Sequence, residues 1–149
     1  MSIARLPVKA VVDTSVYIPF INNGFSHPVI DGIYGQPVLY MSSVVIEELY
    51  AGAFDAISIK LIDRLYETFE RLNRLIVPNA SDWQKAGKVV AKLGRKYGFE
   101  SLYLARIQND VLIALSARQI GAYVITGNMK DYERIREFLD FKLYPPKDR

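Results

Sequence analysis

The sequence contains no cysteine and a single histidine, His27, which precedes Pro28. Without cysteine the chain can form neither disulfides nor thiolate metal sites, which is typical of proteins in a reducing compartment. One histidine cannot build a zinc site of several imidazole ligands. Because a residue before proline is held in extended or turn backbone, we expect His27 to lie in a loop without a catalytic duty.

Long apolar segments are also missing. No run approaches the ~20 apolar residues that span a bilayer, and residues 1–7 lack the apolar core of a signal peptide. The 149 residues, half of them apolar, suffice for one domain with one core. We therefore expect a single cytoplasmic domain over residues 1–149, without membrane contact. The net charge of +3 permits contact with polyanions, which is weak support for a nucleic-acid partner.

Short apolar runs alternate with segments of helical periodicity along the chain. This alternation predicts an α/β fold in which helices cover both faces of a parallel sheet. Pro19 is expected in the first turn of its helix, and Ser81-Asp82 is expected to cap a later helix. The predicted strands are 8–12, 37–41, 75–77, 122–126 and 141–144, and the predicted helices start near 16 and cover 44–54, 56–72, 83–97, 105–120 and 129–139.

An acid stands at the end of the first apolar run. Residues 9–17 hold an apolar stretch, then Asp13, then two hydroxyl residues, so a buried parallel strand would deliver Asp13 to its carboxyl end. In open α/β sheets, ligands bind outside those carboxyl ends. Asp is also a preferred helix N-cap. Taken alone, Asp13 is therefore either a cap or a ligand for a cation.

Asp110 lies on an apolar, small-residue face of a predicted helix. A carboxylate there costs several kcal/mol unless it is paired or bound to a metal. The alternatives to a metal or catalytic role are a salt bridge to Arg106, one turn earlier, or a solvated position near the helix start. The residues that share its face by three- and four-residue spacing are Ile107, Ile113, Ala114 and Ala117.

Two further acids follow the second and fourth predicted strands. Glu48 lies on the same side of its predicted helix as Gly52, and we expect this side to pack inward. The adjacent Glu47 points about 100° away from it. A helical Glu is most often simply solvated, so this pattern favours Glu48 only slightly. Asp131 has an equally ordinary explanation as a first-turn acid that complements the helix dipole, with Asn128 as the N-cap.

Together these positions place Asp13, Asp131 and Asp110 near the carboxyl end of one sheet. An all-carboxylate cluster without histidine or cysteine suits hard, oxygen-preferring cations such as Mg²⁺ or Mn²⁺. Such ions clamp phosphates and activate water. A mildly basic surface would then guide a nucleic acid strand to the cluster.

Four segments in order resemble the PIN domains, specifically the ribonuclease toxins of VapBC toxin–antitoxin systems. These segments are residues 11–16, 42–52, 109–114 and 126–132, and their separations are similar to those of the family. The chain departs from the family pattern at Tyr132, where Phe is commoner, and at Asn128, where some members carry Asp.

The resemblance implies a five-stranded parallel sheet in an α/β/α sandwich, with strand order 3-2-1-4-5. It implies cleavage of RNA with Mg²⁺ or Mn²⁺, inhibition by a VapB-type antitoxin and often a homodimer. The implied roles are as follows: Asp13 and Asp110 coordinate the main metal, Glu48 completes that site, Asp131 holds a second ion or an ordered water, and Thr14, Ser15, Thr126 and Asn128 orient the carboxylates or waters.

Two other functions are compatible with the same residues. A phosphotransfer domain would use Asp13 as a nucleophile, but the haloacid-dehalogenase type of site wants a second acid two residues later, where Ser15 stands. A non-catalytic RNA-binding or scaffold protein could share the fold, although the presence of all four acids argues against it. The apolar positions of residues 56–72 further suggest a surface for a homodimer and for an antitoxin.

Overall fold

The computed structural model describes residues 8–23 and 37–145, and His27 lies outside these ranges. Within them the chain alternates strands and helices, as the sequence predicted. The strands are β1 (Lys9–Val12), β2 (Val38–Ser42), β3 (Leu75–Ile76), β4 (Tyr123–Ile125) and β5 (Lys142–Tyr144), and the helices are α1 (Thr14–Asn23), α2 (Ser43–Ala51), α3 (Ala56–Arg71), α4 (Ala80–Tyr97), α5 (Ser101–Gln119) and α6 (Met129–Arg136).

The five strands form one parallel sheet in the order β3-β2-β1-β4-β5. The predicted α/β fold and strand order are therefore confirmed. Strand β1 pairs with β2 on one side and β4 on the other. The strands before and after this point therefore extend the sheet in opposite directions from β1. The backbone N–H of Asp13 donates to the carbonyl of Ile125 at 2.8 Å, which brings the residues after β1 and β4 side by side. This switch point is where such sheets bind ligands.

Helix α5 is the central helix of the core. Every residue from Asp110 to Ala117 is buried, so this part of the helix is enclosed on all sides. Ser116 is the one neutral polar residue among them, and its hydroxyl donates to the carbonyl of Leu112 at 2.9 Å and lies 3.1 Å from the Ser42 hydroxyl. Ser42 also caps α2 by accepting from the backbone N–H of Val44.

Two predictions about helix starts are wrong. Helix α4 is capped by Asn79 and not by Ser81-Asp82: the Asn79 side chain accepts from the Asp82 backbone, and the Asp82 carboxylate accepts from the Asn79 backbone. This reciprocal pair is a capping box, in which the acid belongs at the third helical position. Helix α1 begins directly after Asp13, so Pro19 lies in the second turn and not in the first. That position forgoes one backbone hydrogen bond.

Helix α5 begins four residues before the predicted start at 105. The first two residues of its first turn, Ser101 and Leu102, are exposed, Leu102 by 79%, whereas Tyr103 and Leu104 are partly buried against the core. A turn with so little buried surface gives only weak apolar periodicity, the pattern by which a helix is predicted from sequence. As a consequence, Asp110 lies in the middle of the helix. Within the described ranges, no helix is both long and apolar enough to cross a membrane.

Candidate active site

Asp13 follows β1 at the switch point and is buried. Its Oδ2 accepts hydrogen bonds from the hydroxyls of Ser15 and Thr126, both at 2.8 Å. Its Oδ1 accepts one from the phenol of Tyr132 at 3.1 Å. In the described part of the chain the donors to this carboxylate are hydroxyl groups and not helix N–H groups. The Asp13 side chain therefore does not serve as the cap of α1.

Glu48 on α2 is held by two side chains from other helices. The Thr14 hydroxyl donates to Oε1 at 2.7 Å, and the Asn109 amide donates to Oε2 at 3.2 Å. Burial raises the pKa of Glu48 and the charge of Asp13 acts in the same direction, while the two hydrogen bonds oppose them. The neighbouring Glu47 is exposed to solvent. Of the two acids, Glu48 is thus the one that the fold turns toward the switch point.

Asp110 is the acid with the least support from the protein. It is buried, and its Oδ2 has no hydrogen-bond partner among residues 8–23 and 37–145. Its pKa is raised to about 8, first by burial and then by the charges of Asp13, Glu48 and Asp131, while Arg106 opposes the shift. Both alternatives considered for Asp110 are wrong, because the residue is buried in mid-helix and the ion pair of Arg106 is with Asp131, at 3.5 Å between Nε and Oδ2.

Asp131 lies buried in the first turn of α6. Its Oδ2 accepts a 2.7 Å hydrogen bond from the side-chain amide of Asn128. Asn128 holds the N-cap position, but its side chain makes no capping bond, since its backbone lies outside the extended region and its amide is bound to the acid. The backbone N–H of Asn128 donates instead to the Thr126 hydroxyl at 2.8 Å. Asn128 is therefore the N-cap of α6, as predicted, but without the side-chain hydrogen bond that a capping Asn usually accepts.

The Ser15 hydroxyl fastens the loop after β4 to the start of α1. It accepts from the backbone N–H of Gly127 at 3.0 Å while it donates to Asp13. The loop lies close to Ser15, since a Cβ on Gly127 would stand 3.4 Å from the Ser15 hydroxyl oxygen. Each of the four residues expected to orient the acids makes a hydrogen bond to one of them: Thr14 to Glu48, Ser15 and Thr126 to Asp13, and Asn128 to Asp131.

The chemistry of the four acids fits a hard divalent cation. All the donors are carboxylate oxygens, and the charges of Asp13, Glu48 and Asp131 add to the burial that raises the pKa of Asp110. The unpartnered Oδ2 of Asp110 is a ready ligand atom. As the side chains lie, however, no three acids in residues 8–23 and 37–145 are grouped closely enough to hold one ion. The strands and helices thus bring four potential ligands to the switch point, whereas the side-chain conformations do not bring three of them together around one position.

A family model described as the PIN domain matches residues 10–137, a span that includes all four acids. The chain belongs to the PIN domain family. The resemblance drawn from the four sequence segments is thereby confirmed. A comparison with curated proteins finds no match.

Solved structures with the same fold include complexes of VapBC systems. VapBC-1 from nontypeable Haemophilus influenzae has a TM-score of 0.61 and 24% identity, over 91% of this chain and 96% of that chain. DNA-bound VapBC from Salmonella typhimurium has a TM-score of 0.65 and 21% identity, over 91% and 96%. VapBC2 from Rickettsia felis, bound to a promoter DNA fragment, has a TM-score of 0.64 and 20% identity, over 91% and 96%. At these identities the likeness shows the fold alone.

Three polar residues of this PIN domain contact acids that the sequence did not predict as their partners: Tyr132, Asn109 and Arg106, of which Arg106 was considered only as a partner of Asp110. Two of them flank an acid in sequence, which is the signal that could have found them, since Asn109 precedes Asp110 and Tyr132 follows Asp131. Each contacts a different acid from its neighbour, so the pairing is visible only in three dimensions. Burial raises the pKa of Tyr132 well above its usual range, and the charges of Asp13 and Asp110 act likewise. Its phenol therefore stays protonated and can donate.

Proposed function

We propose that this single PIN domain is a metal-dependent endoribonuclease that hydrolyses RNA phosphodiester bonds in the cytoplasm. PIN domains are generally nucleases. The observation that carries the proposal is the set of four acids around the β1–β4 switch point, with one buried carboxylate oxygen, Asp110 Oδ2, that has no partner among the residues that the structure describes. Asp13 and Asp110 would bind Mg²⁺ or Mn²⁺, Glu48 would complete the site, and Asp131 would hold a second ion or an ordered water.

The protein groups supply orientation and charge. A bound divalent cation would neutralise phosphate charge and lower the pKa of the attacking water. The hydroxyls of Ser15 and Thr126 hold Asp13 in place, and Thr14 and Asn109 hold Glu48 in place. Because these hydrogen bonds orient the metal ligands, removal of one of them should weaken metal binding.

Purified protein should cleave single-stranded RNA in the presence of Mg²⁺ or Mn²⁺. Cleavage should stop on addition of EDTA, because without a cation the negative charge of the four carboxylates would repel the phosphate. The measurement is cleavage of a labelled RNA with each metal and with the chelator. The Asp110→Asn variant, purified in the same way, is the control for contaminating ribonucleases. Equal cleavage in EDTA would contradict the proposal. Metal-dependent RNA binding without cleavage would favour the non-catalytic alternative.

The surface around the start of α3 supports the role of a toxin with a protein partner. Phe54 is 93% exposed, Ile57 is 75% exposed and Ile18 is 44% exposed. Isolated exposed apolar residues are ordinary, but a group of them beside a groove marks an interaction site. We propose that a VapB-type antitoxin binds here, since VapBC complexes share this fold. The groove is lined by Ile18, Ile21, Asn22, Glu48, Leu49, Gly52, Ala53 and Ser58.

The free protein should form a homodimer through the same apolar region, because a second copy would cover it when no antitoxin is present. Ile57→Glu should convert the dimer to a monomer, since burying a charge in the interface is costly. Light scattering across a concentration series measures this. Val77→Glu, at a site 65% exposed beyond β3, is the matched control and should leave the dimer intact. A wild-type protein that stays monomeric at high concentration would contradict the homodimer.

A further inference from the structure

The two oxygens of the Asp13 carboxylate carry different numbers of hydrogen bonds. Oδ2 accepts two, from Ser15 and Thr126, and Oδ1 accepts one, from Tyr132. An ionised carboxylate has about four acceptor positions, two on each oxygen. Within the described residues, Oδ2 is therefore filled and Oδ1 keeps one open position. A cation that binds Asp13 without breaking these bonds must bind Oδ1 alone.

Tyr132 differs from the other two donors because its ring cannot move independently of the core. The side chain is fully buried, and its ring meets Phe141 edge to face, with centroids 6.3 Å apart and planes at 68°. A serine or threonine hydroxyl can turn about one bond, whereas the position of a phenolic oxygen is set by the packing of the whole ring. The phenol is therefore the most rigid of the three contacts to Asp13.

We propose that Tyr132 is a positioning residue that orients the Asp13 carboxylate so that Oδ1 alone is presented to the catalytic cation. This inference rests on the proposed function of a metal-dependent nuclease and assigns a role to a residue outside the four acids. Without the phenol, Oδ1 keeps no protein donor in the described part of the chain. The carboxylate is then held through Oδ2 alone, by Ser15 and Thr126, and the direction of Oδ1 is no longer fixed.

The chain offers a matched pair of substitutions that tests this role. Tyr132→Phe and Tyr17→Phe each remove one phenolic oxygen from a fully buried ring. The Tyr17 hydroxyl has no hydrogen-bond partner within the described ranges, so its removal breaks no contact to one of the four acids. Phenylalanine fills almost the same space as tyrosine in both positions, and both variants should fold. Only Tyr132→Phe frees a carboxylate of the site.

Binding of Mn²⁺ alone, followed by the electron paramagnetic resonance of the free ion, provides a measurement independent of catalysis. We expect Tyr132→Phe to weaken Mn²⁺ binding by about 10-fold or more, which is typical for loss of a partner of a metal ligand. Tyr17→Phe should bind Mn²⁺ like the wild type. In RNA cleavage, Tyr132→Phe should raise the metal concentration for half-maximal rate and leave the KM for RNA unchanged.

The outcomes separate this inference from the function on which it rests. If the wild type binds Mn²⁺ and cleaves RNA, and Tyr132→Phe does both with the same metal dependence, Tyr132 has no positioning role. Equal losses in Tyr132→Phe and Tyr17→Phe would likewise overturn it, because a general effect on the core would explain them. A wild type that neither binds Mn²⁺ nor cleaves RNA would overturn the proposed function together with this inference.

Discussion

Replacing Asp110 by asparagine should abolish RNA cleavage and, at the same time, make the metal-free protein more stable at neutral and alkaline pH. The substitution removes a buried carboxylate whose pKa is raised by the charges of Asp13, Glu48 and Asp131 and which has one oxygen without a hydrogen-bond partner in residues 8–23 and 37–145. Losing a metal ligand should reduce the rate by orders of magnitude, since removing only the partner of a ligand costs about 10–100-fold. An ordinary buried acid with good partners would instead become less stable on the same change.

The pH dependence of stability gives this prediction a definite sign. The pKa of Asp110 is raised from 3.8 to about 8, so between these values the folded protein holds a proton that the unfolded chain has released. The free energy of unfolding of the wild type should therefore fall as pH rises from about 4 to about 8. The full loss is at most roughly 6 kcal/mol. In Asp110→Asn this part of the pH dependence should disappear.

Urea unfolding in EDTA at several pH values between 4 and 9 measures the effect. Asp82→Asn is a suitable control, because Asp82 is also a buried acid but accepts from the Asn79 backbone and the Gln119 amide. That variant should lose about 1 kcal/mol at neutral pH through its weakened cap. A loss of several kcal/mol in metal-free Asp110→Asn would show instead that the carboxylate has a stabilising partner.

The sheet and the positions of Asp13 and Asp110 could be predicted from sequence because each depends on a local pattern, whereas Glu48 and Asp131 depended on the resemblance to the family. Asp13 ends an apolar run, and such runs form the buried strands of parallel sheets, whose carboxyl ends bind ligands. Asp110 interrupts an apolar helix face, which is visible within two helical turns. Patterns of this length need no knowledge of which elements meet in space.

The hydrogen bonds and ion pairs between the acids and their polar partners could not be predicted, because they join distant parts of the chain. Tyr132 and Asp13 are 119 positions apart, and Asn109 and Glu48 are 61 apart. Arg106 shows how local spacing misleads: it lies one helical turn before Asp110, yet its ion pair is with Asp131 of α6. The prediction of the α4 cap was wrong for a local reason. Ser, Asp and Asn are all good N-caps, and only the acid three residues later singles out Asn79.

Glu48→Gln should reduce RNA cleavage by at least about 100-fold, whereas Glu47→Gln should leave it unchanged, because only Glu48 faces the other acids. Glu48 is half-buried, accepts hydrogen bonds from Thr14 and Asn109, and has its pKa raised first by burial and also by the charge of Asp13. Glu47 is exposed on the same helix. The measurement is cleavage of the same RNA by both variants, together with toxicity on expression.

The pair is its own control, because the two substitutions remove the same charge from adjacent positions of α2. Glutamine keeps the shape of glutamate, so Glu48→Gln should retain the fold and can still accept from Thr14 through its amide oxygen. Glu47→Gln should change the free energy of unfolding by less than ~0.5 kcal/mol, as expected of an exposed site. If Glu47→Gln is the inactive variant and Glu48→Gln is active, the assignment of the second acid is wrong by one residue, and α2 must present its other face to the substrate.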